Sequence, residues 1–145
     1  MACPRNGSSA ATVSRGFGTG SRGISASSPA SPGGGFHATL ALSRARPGVT
    51  AIFAGNDTIV LGALAYLGLA VPGDVSVVGF DDLPFAGFVA PPLTTVRIDA
   101  THQGRCAAEV LLLRLKGKAV PESRQSFELV FVPRGSSGPA RTSTR

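Results

Sequence analysis

Two polar clusters stand directly after short apolar runs, and their residue types suit ligand chemistry. Asn56-Asp57 follows Thr50-Ala51-Ile52-Phe53-Ala54 and Gly55, and Asp81-Asp82 follows Val75-Ser76-Val77-Val78-Gly79-Phe80. If both runs are parallel strands, the clusters share the sheet edge beyond the strands' carboxyl ends, where open parallel sheets bind ligands. An amide and carboxylates there accept hydrogen bonds from a polyol or a purine, and the Asn56 amide also donates. The same residues serve a plainer purpose equally well. Asn56 or Asp57 caps a following helix, and Asp81 or Asp82 caps a turn. Spacing alone leaves both readings open.

Catalysis fits less well. His37 and His102 fall in separate helical segments, and no Ser–His or Cys–His pairing stands out. Cys3 and Cys106 have neither metal-ligand spacing nor a disulfide framework. Cys106 lies in an apolar helical run and is expected to be a reduced, buried thiol. Gly33-Gly34-Gly35 precedes a helical pattern, but it follows no strand and lacks the Lys–Ser/Thr pair of a phosphate loop. The expectation is a binding protein without catalytic residues, cofactor or metal.

The elements that must hold the clusters follow from periodicity and punctuation. Residues 36–46 read as a short helix stopped by Pro47-Gly48. Residues 50–54 and 75–80 have the composition of buried parallel strands, with a helix over 58–69 and a turn at Pro72-Gly73-Asp74 between them. Strand, helix and strand with short turns make a right-handed βαβ unit, so the fold class is α/β with a parallel sheet. A strand over 93–98, a helix over 99–116 closed by Gly117, and a last strand over 127–132 follow. Residues 1–35, rich in Gly, Ser, Ala, Pro and Arg, are expected to be disordered, and residues 135–145 to be a flexible tail.

Bulk properties agree with one domain. The chain has 145 residues and is 43% hydrophobic, enough for a real core. Its formal charge of +6 is uneven: five arginines and no carboxylate occur before Asp57. That tail favours solvation over a dense nucleic-acid patch. No run approaches the roughly 18 apolar residues of a membrane span. The first residues lack the apolar core of a secretory leader, so a cytoplasmic location is expected.

The strings AIFAGNDTIVLGAL (51–64), VPGDVSVVGFDDLPFA (71–86) and PPLTTVRID (91–99) together resemble the LacI/GalR family of bacterial transcriptional regulators. GRCAAEVLLLRLKG (104–117) and ELVFVPRGSS (128–137) continue the resemblance, which covers about two-thirds of the chain. It implies a partial periplasmic-binding-protein-like sensor over 36–134. A sugar or nucleobase effector would bind between two lobes and shift the affinity for operator DNA. It places Asn56 and Asp81 against the effector, with Phe80 and Arg97 lining or flanking the pocket. The first lobe has no counterpart here, so a truncated regulator is expected. The helix after Asn56-Asp57 is about one turn short of the family pattern, and Ala90 replaces an aspartate often found before the two prolines.

A second resemblance lies in SSAATVSRGFG (8–18), similar to the recognition-helix stretch of the family's helix-turn-helix. It would make Thr12 and Ser14 phosphate contacts and bring Ala10, Ala11 and Arg15 towards bases. Residues 1–7 cannot supply the preceding helix, so independent operator binding is not expected. A periplasmic sugar-binding protein of a transport system and a dimerisation-only module are the alternative readings. The latter would form a homodimer through 58–69 and 83–89.

Overall fold

A computed structural model describes residues 8–14, 24–119 and 127–139. In chain order the elements are β1 (Ser8–Ser14), β2 (Ile24–Pro29), α1 (Pro32–Ala45), β3 (Ala51–Ala54), α2 (Asp57–Leu67), β4 (Ser76–Val78), β5 (Thr95–Ile98), α3 (Ala100–Leu115) and β6 (Leu129–Val132). A 3₁₀ turn, Pro84–Gly87, lies between β4 and β5. The expected βαβ unit is present: β3 and β4 pair in parallel, Ala51 opposite Ser76, and α2 makes the crossover. The α/β class therefore holds.

The sheet is mixed, with order β2-β1-β3-β4. β1 is antiparallel to both β2 and β3. This corrects the reading of residues 1–35 as disordered, because β1, β2 and the start of α1 lie within them. It also corrects the recognition helix. Thr12 and Ser14 lie in a strand whose Ala11–Ser14 backbone pairs with β3, and Arg15 is outside the described residues. An apolar strand such as β3 needs partners on both edges, and β1 fills the side away from β4.

α1 begins at Pro32, four residues before the expected start. Ser31 caps it, its Oγ accepting from the Gly34 N–H at 3.1 Å, and Pro32 takes the first helical position. Gly35 and Gly62 are contact points between the two helices. A Cβ on Gly35 would run into the carbonyl of Ile59, and one on Gly62 into the carbonyl of Pro32. α1 and α2 cross there with backbones almost touching. Gly62→Ala is expected to cost about 2–3 kcal/mol, since a carbonyl inside a helix cannot step aside; a urea midpoint equal to wild type would refute the close crossing.

The core lies between this helix pair and the sheet: Ala38 and Leu42 of α1, Ile52 and Ala54 of β3, Ile59 and Val60 of α2, and Val75, Val77 and Leu93. β5 continues the sheet beside β4 through bridges Val78–Thr94 and Asp81–Arg97, then pairs antiparallel with β6. α3 is capped by Asp99, which accepts from the His102 N–H at 2.8 Å, and Gly117 takes the left-handed conformation after it. Of α3 only Cys106 is buried. Leu111, Leu112 and Leu115, with Leu129, Val130 and Phe131 of β6, are exposed.

The flexible-tail reading fails for residues 135–138. The Ser136 carbonyl accepts from Val77 N–H at 2.7 Å, while its hydroxyl donates to the Val77 carbonyl at 2.6 Å and accepts from Thr94 N–H at 2.8 Å. Gly138 N–H donates to Ser76 Oγ at 3.1 Å. This strap occupies the edge of β4 beside the start of β5. A Gly-Ser-Ser-Gly string looks like a tail because its partners lie some 40–60 positions earlier in the chain.

Candidate functional site

The two polar clusters do meet at one sheet edge. The Asp57 N–H, at the start of α2, donates to the Phe80 carbonyl at 2.8 Å, which ties the exit of β3 to the exit of β4. The Asp81 N–H donates to the Val96 carbonyl at 2.9 Å, bringing in β5 and Arg97. Asn56, Phe80, Asp81 and Arg97 are thus assembled at the carboxyl ends of the parallel strands.

Their roles divide unevenly. Asn56 is the N-cap of α2, its Oδ1 accepting from the Ile59 N–H at 2.8 Å, so the plain capping reading holds. Asp57 is 0% exposed. Its Oδ2 accepts from the Leu83 N–H at 2.8 Å and its Oδ1 from the Thr95 hydroxyl at 2.7 Å. A Cβ on Gly79 would collide with Oδ1, so that glycine makes room for the carboxylate. Asp57 is a clamp inside the protein. Phe80 is half-buried and contributes its carbonyl.

Asp81 and Asp82 make a sharp turn with positive φ at both, 107° and 55°. Burial holds the Asp81 carboxyl above its ordinary range, and the Asp57 charge adds to that. Asp82 goes the other way. Its Oδ2 meets Arg97 Nε at 2.6 Å and its Oδ1 meets Arg134 Nη2 at 2.7 Å. Burial alone would raise it, but hydrogen bonds from Arg97 and then Arg134 outweigh burial and hold it low. Arg134 also donates to the Leu93 carbonyl at 2.8 Å. The Arg97 side chain stays 55% exposed, with its Nε committed to Asp82.

These shifts have opposite linkage signs. A carboxyl raised in the folded state stabilises below its unfolded value, and that contribution is lost as pH rises through the folded value. A lowered one stabilises above the unfolded value and loses its contribution as pH falls through the folded value. Asp81→Asn is therefore expected to raise the urea midpoint at pH 7 and Asp82→Asn to lower it. Both differences should shrink towards pH 3. A midpoint for Asp81→Asn below wild type at neutral pH would contradict the assignment.

Arg134 was missed as a contributor because it is some 50 residues from Asp82 and lies beside a string that reads as tail. One pairing was also missed. His102 Nε2 lies 3.7 Å from Cys106 Sγ, four residues apart on α3, a spacing that places both on one helix face. Cys106 is a free, buried thiol, as expected. Among the described residues no three His, Cys, Asp or Glu side chains group as metal ligands, and no helix is long and apolar enough to cross a membrane.

Two hollows of ligand size lie outside the clusters themselves, one of them beside Arg97. One of about 350 Å³ sits at the opposite strand ends, among Thr39, Leu42, Ile52 and Val75. Another of about 700 Å³ adjoins Arg97 and runs along Asp99, His102, Phe127 and Glu128. Chemically, the edge offers one carboxylate held by its neighbours, a partly exposed guanidinium and the positive end of α2. That set has the groups to hydrogen-bond a ligand; it contains no nucleophile and base pair.

A family model for a periplasmic binding protein-like domain matches residues 16–137. The HTH-type transcriptional regulator MalR of Streptomyces coelicolor is 45% identical over 94 residues, 63% of this chain and 27% of the relative. The ribose operon repressor of Escherichia coli K12 is 35% identical over 107 residues, 72% of this chain and 32% of the relative. Among solved structures, the transcriptional regulator CelR–cellobiose complex superposes with a TM-score of 0.69 at 34% identity, covering 76% of this chain and 35% of that one. The chain spans about a quarter to a third of the length of these curated relatives.

Proposed function

This chain belongs to the periplasmic binding protein-like domain family, in the branch formed by LacI-type transcriptional regulators, and we propose that it supplies one face of such a regulator's effector site. The convergence of Asn56, Phe80, Asp81 and Arg97 beyond the ends of β3, β4 and β5 carries this reading. The effector class is a small polyhydroxylated sugar or a nucleobase. Asp81 would accept its hydroxyl or amine protons, Arg97 and Asn56 would donate, and Phe80 would pack beside the ring. In the whole regulator, occupancy would shift the affinity for operator DNA.

One face cannot enclose a ligand, and tight sites bury 70–90% of ligand surface. Binding by the chain alone is therefore expected near roughly millimolar dissociation constants, about −4 kcal/mol. Titrating labelled full chain with cellobiose and with ribose tests this. Amide shifts confined to residues 56–57, 80–82 and 96–97, abolished by Asp81→Ala, support the reading. Saturable shifts located elsewhere, or none with either sugar at 50-fold excess over roughly 1 mM, overturn it.

The homodimer belongs to the same reading. Phe88, just after the 3₁₀ turn, is 90% exposed, an unusual place for a phenyl ring unless a second surface covers it. Sedimentation that stays monomeric at high concentration would remove this part.

A further inference from the structure

We propose that Asp57 is a positioning residue for the effector face: it holds the turn at residues 80–83 in its left-handed conformation, so that the Asp81 carboxylate stands at the strand ends. The turn demands an explanation. Two consecutive non-glycine residues adopt positive φ, 107° at Asp81 and 55° at Asp82. Such residues persist only where their surroundings over-determine them. The Asp82 side chain is held by its ion pairs with Arg97 and Arg134; four hydrogen bonds tie the turn's backbone to α2 and β5, and three of them run through Asp57 or its partner Thr95. The Asp57 N–H holds the Phe80 carbonyl, the Asp57 carboxylate holds the Leu83 N–H, and the Thr95 hydroxyl accepts from Asp82 N–H at 3.4 Å while donating to Asp57. The fourth, Asp81 N–H to Val96, cannot by itself fix both ends.

The direction of each bond matters. Leu83 N–H and Thr95 Oγ–H are both donors, so the residue at position 57 must accept twice inside the protein. A carboxylate does this with two oxygens; an amide offers one acceptor and presents N–H groups to the other donor. Glutamate, one methylene longer, would have to push into the space that Gly79 leaves, where Oδ1 already stands too close for a Cβ. Asn56 contacts the helix and Asp81 faces the edge, and Asp57 is the link that fixes their relative placement. The effect on ligand affinity rests on the effector reading above, whereas the effect on the turn does not.

The test uses the full chain, wild type against Asp57→Asn, Thr95→Val and Thr95→Ser, with cellobiose and ribose as probes. Asp57→Asn and Thr95→Val are expected to weaken sugar binding at least tenfold. Both should move the amide resonances of Asp81, Asp82 and Leu83, and Thr95→Ser, which keeps the hydroxyl, should restore them. The carboxyl titration of Asp81 should fall towards the ordinary range in Thr95→Val, where the Asp57 charge remains. The nearby charged groups Asp57, Asp82, Arg97 and Arg134 are all retained in that variant. Unchanged resonances at residues 80–83 in a folded Asp57→Asn, or Thr95→Ser behaving like Thr95→Val, would overturn the proposal. If Asp57→Asn does not fold, the Thr95 pair decides alone. If neither sugar binds wild type, the effector reading fails and the turn resonances still decide the positioning role.

Discussion

A chain ending at Arg134 is expected to lose about 3–9 kcal/mol, a large part of the roughly 5–15 kcal/mol that stabilises an ordinary domain, and so to unfold at a far lower urea concentration than wild type. The expectation comes from the groups that residues 136–138 cover. Removing them strips partners from the N–H and carbonyl of Val77, from Thr94 N–H and from Ser76 Oγ. Val77 and Thr94 are wholly buried. A buried backbone group left without a partner costs about 1–3 kcal/mol, so three such groups give the stated range, or about 2–6 kcal/mol if water enters to satisfy one of them. Ser136→Ala isolates the hydroxyl and should cost about 2–3 kcal/mol by the same reasoning, because two buried groups lose their partner while the carbonyl bond survives. A chain ending at Pro139 keeps the strap and is the reference against which the Arg134 chain is read. Circular dichroism through a urea gradient measures all three. Equal midpoints for wild type and the Arg134 chain would show that β4 and β5 do not depend on the strap.

The strap also shows which parts of this fold could be read from sequence. The βαβ unit was legible because its signals are local: an apolar run, Asn56 as a cap, a helical period, a Pro-Gly turn and a second apolar run. Asp99 and Gly117 at the ends of α3 were legible for the same reason. β1 and β2 were not. Their strings are small and polar, and what makes them strands is pairing: β1 with β3 across some 40 residues, and β2 with β1. Gly35 carried no readable signal, since a glycine serves a loop and a helix crossing equally well, and only the neighbouring backbone of α2 distinguishes them.

In the site, residue types located the edge correctly but ranked its members by visibility. Asn56 and Asp81 drew attention as ligand contacts, while Asp57 was only an alternative cap. Nothing local says that the Asp57 carboxylate is wholly inside the protein. That depends on Thr95 and Gly79, which lie 38 and 22 positions away in the chain. Arg134 is similar: a lone arginine near the end of a chain is ordinarily solvated, and here it closes an ion pair behind Asp82.

Asp57→Ala is expected to cost about 3–5 kcal/mol, the range for breaking a buried, hydrogen-bonded charge arrangement, whereas Asn56→Ala should cost only about 1 kcal/mol, the usual loss of a helix cap. The ordering reverses what adjacency in the sequence suggests. Alanine at 57 leaves Leu83 N–H and the Thr95 hydroxyl facing an empty site, and each unsatisfied buried donor costs about 1–3 kcal/mol. Against this stands the desolvation cost of the carboxylate, which alanine removes. Relief of that cost would make the substitution mild if the charge were poorly solvated by its neighbours. Two short donor bonds at 2.7 and 2.8 Å, together with the start of α2, argue that it is well solvated by the protein. Gly79→Ala approaches the same site from the opposite side: its Cβ would displace the carboxylate without removing it, so a comparable loss is expected. Urea midpoints at pH 7 for the three variants decide the matter. If Asn56→Ala proves the most damaging, α2 is held mainly by its cap and the clamp is secondary. If Asp57→Ala and Gly79→Ala fall together well below Asn56→Ala, the buried carboxylate is what joins β4, β5 and α2 into a single edge.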